Sequence, residues 1–143
     1  MTTKEYLEQV LKIDKKINKQ LSELDYYRNL ANGLSSISPS NIRVKSSGDK
    51  DVLSKRVVRI VELENKIDEM VDGYVEKRQT ILDQIQELEN ETEKEVLYER
   101  FFNGITFDEI ADKVGYTPRT IYNVYSSAMI NFEQKFKKTY SKL

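Results

Sequence analysis

From Thr3 to Ala31 apolar residues recur at three-to-four spacing: Tyr6, Val10, Ile13, Ile17, Leu24, Tyr27 and Ala31, with Leu21 beside them and Gln20 as the one polar break. A period near 3.6 gathers these side chains into one stripe of an amphipathic helix and leaves the lysines and glutamates on the other side. The pattern stops at "NGLSSISPSNIRVKSSGDK", Asn32 to Lys50, whose serines, Gly33, Pro39 and Gly48 predict a flexible linker over 32–50.

A second pattern begins at Asp51. Leu53, Ile60, Ile67, Tyr74, Ile81 and Leu88 follow one another at seven-residue intervals, Val57, Val71 and Ile85 fill intervening positions, and Glu64 and Arg78 interrupt them. Six apolar residues at one heptad position predict a long helix over 51–90 that packs lengthwise against another helix. The first helix, folded back through the linker, is the obvious partner. At about 1.5 Å per residue, residues 51–89 span roughly 57 Å and residues 3–31 cover about 43 Å of it. The excess stripe is expected to cover either the C-terminal module or a second copy of the chain. Gly73, inside this helix, costs about 1 kcal/mol relative to alanine and marks a candidate bend.

After Asn90 the pattern shortens. "ETEKEVLYERFFNG" predicts a helix with Val96, Leu97, Phe101 and Phe102 inward, stopped by Gly104 in a left-handed end position. Thr106 stands three residues before Glu109, a capping-box spacing that opens a helix over "FDEIADKV". Gly115 ends that helix, Thr117 caps the next, and Pro118 occupies the first turn, where a missing amide proton does no harm. The expected core of this corner is Ile110, the small Ala111 where two helices cross closely, Val114, Ile121, Val124, Tyr125 and Ala128.

The spacing from Phe107 is that of a helix-turn-helix. With its apolar side turned inward, the third helix of the module presents Thr117, Pro118, Arg119, Thr120, Tyr122, Asn123, Ser126 and Ser127 as candidate DNA-binding residues. They supply donors, acceptors and a ring suited to base edges and phosphates. Lys135, Lys137 and Lys138, with Lys142 beyond, are weaker candidates for phosphate contacts. The same features also have plainer readings, because tight αα corners occur in proteins that bind no nucleic acid and lysines at a helix end complement the helix dipole.

Charge sharpens this division. The net charge is −1, but residues 1–47 carry eight basic and five acidic side chains, residues 48–116 ten and eighteen, and residues 117–143 five and one. An acidic middle and a basic end point to an anionic partner at the C-terminal end alone. The chain contains no cysteine and no histidine, which removes disulfides, thiol nucleophiles, imidazole bases and the usual zinc ligands. Glu91, Glu93 and Glu95 alternate along a helix and are read as a solvated face, so neither an enzyme nor a bound metal or cofactor is expected. No apolar run approaches the roughly 20 residues of a membrane span, and "MTTKEY" has no signal-peptide core, so a cytoplasmic protein is expected.

The stretch "VLYERFFNGITFDEIADKVGYTPRTIYNVYSSA", Val96 to Ala128, resembles region 4 of bacterial sigma factors. The shared outline is a leucine and arginine before a glycine, an "EIA" helix, a glycine turn, a threonine cap and a recognition helix ending in alanine. The resemblance puts Thr117 at the cap, Pro118 and Arg119 at the two positions that in sigma factors face the promoter, and Tyr122 and Asn123 at the next exposed pair. Sigma factors usually carry arginine and glutamate where Pro118 and Arg119 stand, so base preference does not carry over. The resemblance covers about the last third of the chain and includes no promoter-melting region. Over its length the chain looks like the small sigma-factor-like late-gene activators of phages, of the RinA, ArpU and LtrC type. They share an opening like "TTKEYLEQVLKIDKKINKQLSEL" and a long middle helix.

The resulting expectation is an all-α protein: a long helical hairpin, coiled-coil-like, followed by a C-terminal helix-turn-helix module over 91–143. The resemblance implies a sequence-specific transcription activator of phage late or packaging genes, encoded by a phage or prophage. It would bind double-stranded promoter or operator DNA with bacterial RNA polymerase, and a homodimer through the long helices is allowed. Two other classes fit the same pattern: a phage small terminase subunit that recognises DNA for packaging, and a helical interaction adaptor.

Overall fold

A computed structural model describes residues 1–35 and 47–141, and their regular structure is helical throughout. Five helices follow in order among the described residues: α1 Thr3–Ser35, α2 Ser47–Gln86, α3 Glu91–Phe101, α4 Phe107–Val114 and α5 Pro118–Tyr140. The all-α expectation holds. The linker boundaries do not: residues 32–35 continue α1 and residues 47–50 open α2, while 36–46 lie outside the described residues. Once a helix has been nucleated, each further residue adds a hydrogen bond for a small entropic cost, so helices of this length run on into serine and glycine.

At its other end α2 stops at Gln86, short of the expected residue 90. The Glu87 N–H is shared between the Asp83 and Gln84 carbonyls, and the Leu88 N–H bonds the Ile85 carbonyl. These tightened turns end the helix while Leu88 still reaches the core. Asn90 then takes up the next role, its side chain accepting the Glu93 N–H at 3.0 Å as the N-cap of α3.

The chain divides into two compact units, Met1–Asp14 with Tyr74–Leu143, and Lys15–Gly73. In the first unit the start of α1 supplies Tyr6, Leu7 and Val10, and the end of α2 supplies Ile81, Ile85 and Leu88. These pack with Leu97, Phe101 and Phe102 of the α3 region and with Ala128, Phe132, Phe136 and Tyr140 of α5. The rings interlock: Tyr6 stacks on Tyr140 at 4.5 Å between centroids, and Phe132 lies 4.9 Å from Phe136. Their polar tips are satisfied, Tyr6 donating to Gln84 Oε1 at 2.6 Å and the Tyr140 hydroxyl sharing a 2.6 Å hydrogen bond with Thr3.

The second unit has a narrower core, in which Leu24 packs with Leu63 and Ile67, bordered by Tyr27, Ile60 and Val71. Arg28 pairs with Glu64 at 2.7 Å and Arg59 with Glu23 at 3.7 Å along its exposed edges. Glu64, a polar interruption of the heptad pattern, is thereby an ion-pair position. Leu53 and Val57, which continue that pattern toward the start of α2, remain exposed. α2 is helical through Gly73. No helix among the described residues is long and apolar enough to cross a membrane.

Candidate nucleic-acid interface

The corner between α4 and α5 is built by local signals. Thr106, with extended backbone, accepts the Glu109 N–H at 3.2 Å and opens α4. Gly115 closes it at φ 88° and ψ 24°, a left-handed conformation that costs a residue with a Cβ. Its N–H and that of Tyr116 both bond the Ala111 carbonyl, at 2.9 and 3.1 Å. Thr117 then caps α5 by accepting the Thr120 N–H at 3.2 Å, with Pro118 in the first turn as expected.

Beneath the turn Val96, Ile110, Ala111 and Ile121 form a fully buried cluster, with Ile105, Phe107, Val114, Val124 and Tyr125 half-buried around it. Ala111, the small residue expected in this core, is 2% exposed. Two further ties hold α3 to this corner. Arg100 donates to the Ile105 carbonyl at 3.0 Å and lies 4.7 Å above the Phe107 ring. Lys113 of α4 donates to the buried Glu99 of α3 at 2.8 Å. Burial alone would raise the Glu99 pKa, but hydrogen bonds from Asn103 and Lys113, with the lysine charge, overcome it and hold the carboxyl below its ordinary range.

The predicted reading residues divide into two groups. Thr117, Pro118, Arg119, Thr120, Tyr122 and Asn123 are all exposed along the start of α5. Arg119 and Asn123 make no hydrogen bond or ion pair among the described residues, whereas Thr117 and Thr120 bond each other at 2.9 Å and the Tyr122 ring meets Phe107 edge-on. Ser126 is half-buried. Ser127 faces elsewhere in chemical terms, its hydroxyl donating to Glu93 Oε1 at 2.8 Å.

Glu93 overturns the reading of the α3 acids as a solvated face. It is 6% exposed, and Asn131 donates to both of its oxygens at 3.0 Å, in addition to the Ser127 bond. A carboxylate at the first turn of α3 thus grips α5 one and two turns beyond the reading residues, close beside them. A cleft of about 400 Å³ lined by Glu93, Ser127, Thr120, Asn123 and Tyr116 runs between the two. Glu91 and Glu95 are exposed as expected.

The lysine end also differs from a plain basic tail. Lys135 donates to the Glu87 carbonyl at 2.7 Å and Lys137 pairs with Glu133 at 3.2 Å, while Lys138 is exposed without an ion pair among the described residues. Lys142 lies outside the described residues. Between these lysines run Phe132, Phe136 and Tyr140, core residues whose i, i+4 spacing after Ala128 is the signal that would have found them. Comparison with family models, curated proteins and solved structures finds no match to this chain.

Proposed function

We propose that this chain is a sequence-specific DNA-binding transcription activator, built as a long helical hairpin that carries a helix-turn-helix, and that it acts at phage late or packaging promoters together with bacterial RNA polymerase. The observation that carries the DNA part is the exposed start of α5, where Arg119 and Asn123 stand unpaired beside Tyr122 on a helix held in place by two threonine caps and Gly115. Arginine there has the donors for a guanine edge or a phosphate, and asparagine those for adenine. Exposed Asp108, Glu109 and Asp112 cover the outer side of α4, so phosphates approach from the α5 side, where Arg119 and Lys138 have no ion pair among the described residues. The activator part rests on the sigma-like outline of residues 96–128.

Footprinting of a late or packaging promoter region, with and without host polymerase, tests the reading. A discrete protected site strengthened by polymerase is the expected result. No protected site under either condition would remove its support, and a many-subunit ring bound at a packaging site would favour the small terminase alternative. Arg119→Ala is expected to weaken specific binding by about 1–3 kcal/mol, the worth of one good base contact, with the fold intact. Unchanged affinity would place the reading surface elsewhere.

A further inference from the structure

The start of α2 carries an apolar face that the core of its own unit does not use. Val57, Val58 and Val61 are 50%, 55% and 49% exposed, preceded along the chain by exposed Val52 and Leu53. The seam of the same helix, in which Leu63 and Ile67 are buried and Ile60 and Val71 half-buried, is centred about 120° around the helix from the centre of these valines, with Val57 nearest to it, at 3.6 residues per turn. Val52 and Leu53 fall on the side of the seam, so the exposed face consists of the three valines.

We infer that this face pairs with the same face of a second copy of the chain, α2 against α2 and antiparallel, with Val57 of each copy packed on Val61 of the other. The charges around the valines select both the partner and the direction. Lys55 and Glu62 stand seven residues apart and so share one edge of the face, which Asp51 and Lys66 extend. A two-fold axis perpendicular to the helices brings this edge against itself in reverse. The register that sets Val57 on Val61 also sets Lys55 beside the second copy's Glu62 and Asp51 beside its Lys66, each pairing occurring twice. Parallel pairing instead sets this edge against the opposite one bearing Glu64 and Asp68, where Glu62 and Glu69 face acids and Lys66 alone faces an opposite charge.

The groups needed are available. All four edge residues are exposed, Glu62 has a single 3.7 Å contact with Arg59, and Asp51, Lys55 and Lys66 have no ion pair among the described residues. Three half-exposed valines and their charged borders make an interface at the small end of the specific range. The dimer is therefore concentration-dependent and salt-sensitive. The pairing does not rest on the DNA reading, although a two-fold dimer that also reads DNA predicts a site with dyad symmetry.

Sedimentation equilibrium of the full chain tests it. The wild type is expected to pass from monomer to dimer with rising concentration, and Val57→Lys combined with Val61→Lys to stay monomeric with unchanged helical circular dichroism. Lys55→Glu and Glu62→Lys should each weaken association several-fold, and the two combined in one chain should restore it, because the swapped charges still meet across the axis. Direction is read by disulfide trapping in this cysteine-free chain: a mixture of Val57→Cys and Val61→Cys chains should cross-link to each other faster than either does to itself. A wild type monomeric at every concentration, charge variants that fail to rescue one another, or preferential self-linking of the Val57→Cys chain would each overturn the inference. Binding of the Arg119→Ala chain to DNA is measured separately, so either idea can fail alone.

Discussion

The two units of this chain use the same kind of amphipathic helix to different ends. In Met1–Asp14 with Tyr74–Leu143, apolar side chains from the α1, α2, α3 and α5 regions close around Phe132 and Tyr140, each at most 1% exposed. In Lys15–Gly73 they come from two helix segments, and only Leu24, Leu63 and Ile67 are buried as a cluster while valines on α2 face outward. Two helices can bury one seam each; a core closed on every side needs further elements. The contrast assigns stability to the first unit and leaves the second with apolar surface to offer a partner.

The sharpest way to break that contrast is to remove equivalent side chains from each. Phe132, in ring contact with Tyr6, Phe136 and Tyr140, is expected to cost about 3–5 kcal/mol when cut to alanine, as large aromatic truncations in tight cores do. Val61→Ala, on the exposed face, should change the monomer by under about 0.5 kcal/mol. Urea unfolding of both variants at low protein concentration measures the difference. Similar losses at the two positions would mean that the α2 valines belong to an intramolecular core after all.

A smaller effect is expected at the corner. A Cβ at Gly115 would meet open space, so Gly115→Ala isolates the backbone cost of φ 88°. The expected loss is about 1–2 kcal/mol. If the chain reads DNA as proposed, the same variant should weaken DNA retention by misdirecting α5. A Gly115→Ala chain as stable as the wild type would show that the turn relaxes freely and specifies little.

How far the sequence reveals these features follows the range of the interactions. Thr106, Gly115 and Thr117 act on amides within four residues of themselves, and their roles are readable from spacing alone. Gly104, at φ 66°, ends the α3 region as its sequence context predicts, but the close approach of Leu11 to it, 3.3 Å from where a Cβ would stand, depends on tertiary packing. Glu93 is the opposite case, because Ser127 and Asn131 lie 34 and 38 residues away and nothing local distinguishes it from Glu91 or Glu95. The heptad series from Leu53 to Ile81 lies on one continuous helix, which stops short of Leu88, and the series cannot say that Ile81 and Leu88 find a core while Leu53 and Val57 do not. Phe132, Phe136 and Tyr140 carry a helical period, but the lysines among them suggest a solvated basic end.

The Glu99–Lys113 pair extends the comparison to pH. The ion pairs described in Lys15–Gly73 sit on exposed edges and contribute little, whereas Glu99 is buried. Its carboxyl is depressed in the folded state against the opposing effect of burial, so it contributes stability that is present above its ordinary value of 4.5 and lost as pH falls through that value toward the lower folded one. Lys113 is shifted upward, chiefly by its hydrogen bond to Glu99, so its share is present below the usual lysine range and lost only as pH rises through it. Acid unfolding of the wild type should therefore steepen below pH 4.5, and Glu99→Gln should flatten that limb and also remove the share that Lys113 loses at alkaline pH. An identical acid limb in the two proteins would assign the acid sensitivity to other carboxylates.

The smallest expected effect has the opposite sign and falls at the boundary of the two units. Gly73 is exposed inside an unbroken α2, and a Cβ built there meets no atom within 4 Å. Glycine in such a place raises the entropy of the unfolded chain without supplying a contact or a turn, so Gly73→Ala should stabilise the protein by about 0.5–1 kcal/mol. Thermal unfolding checks this, and hydrogen exchange of amides 70–77 locates it, since slower opening is expected there and not at α4 or α5. A destabilised Gly73→Ala chain would mean that α2 needs the conformational freedom of glycine at this residue.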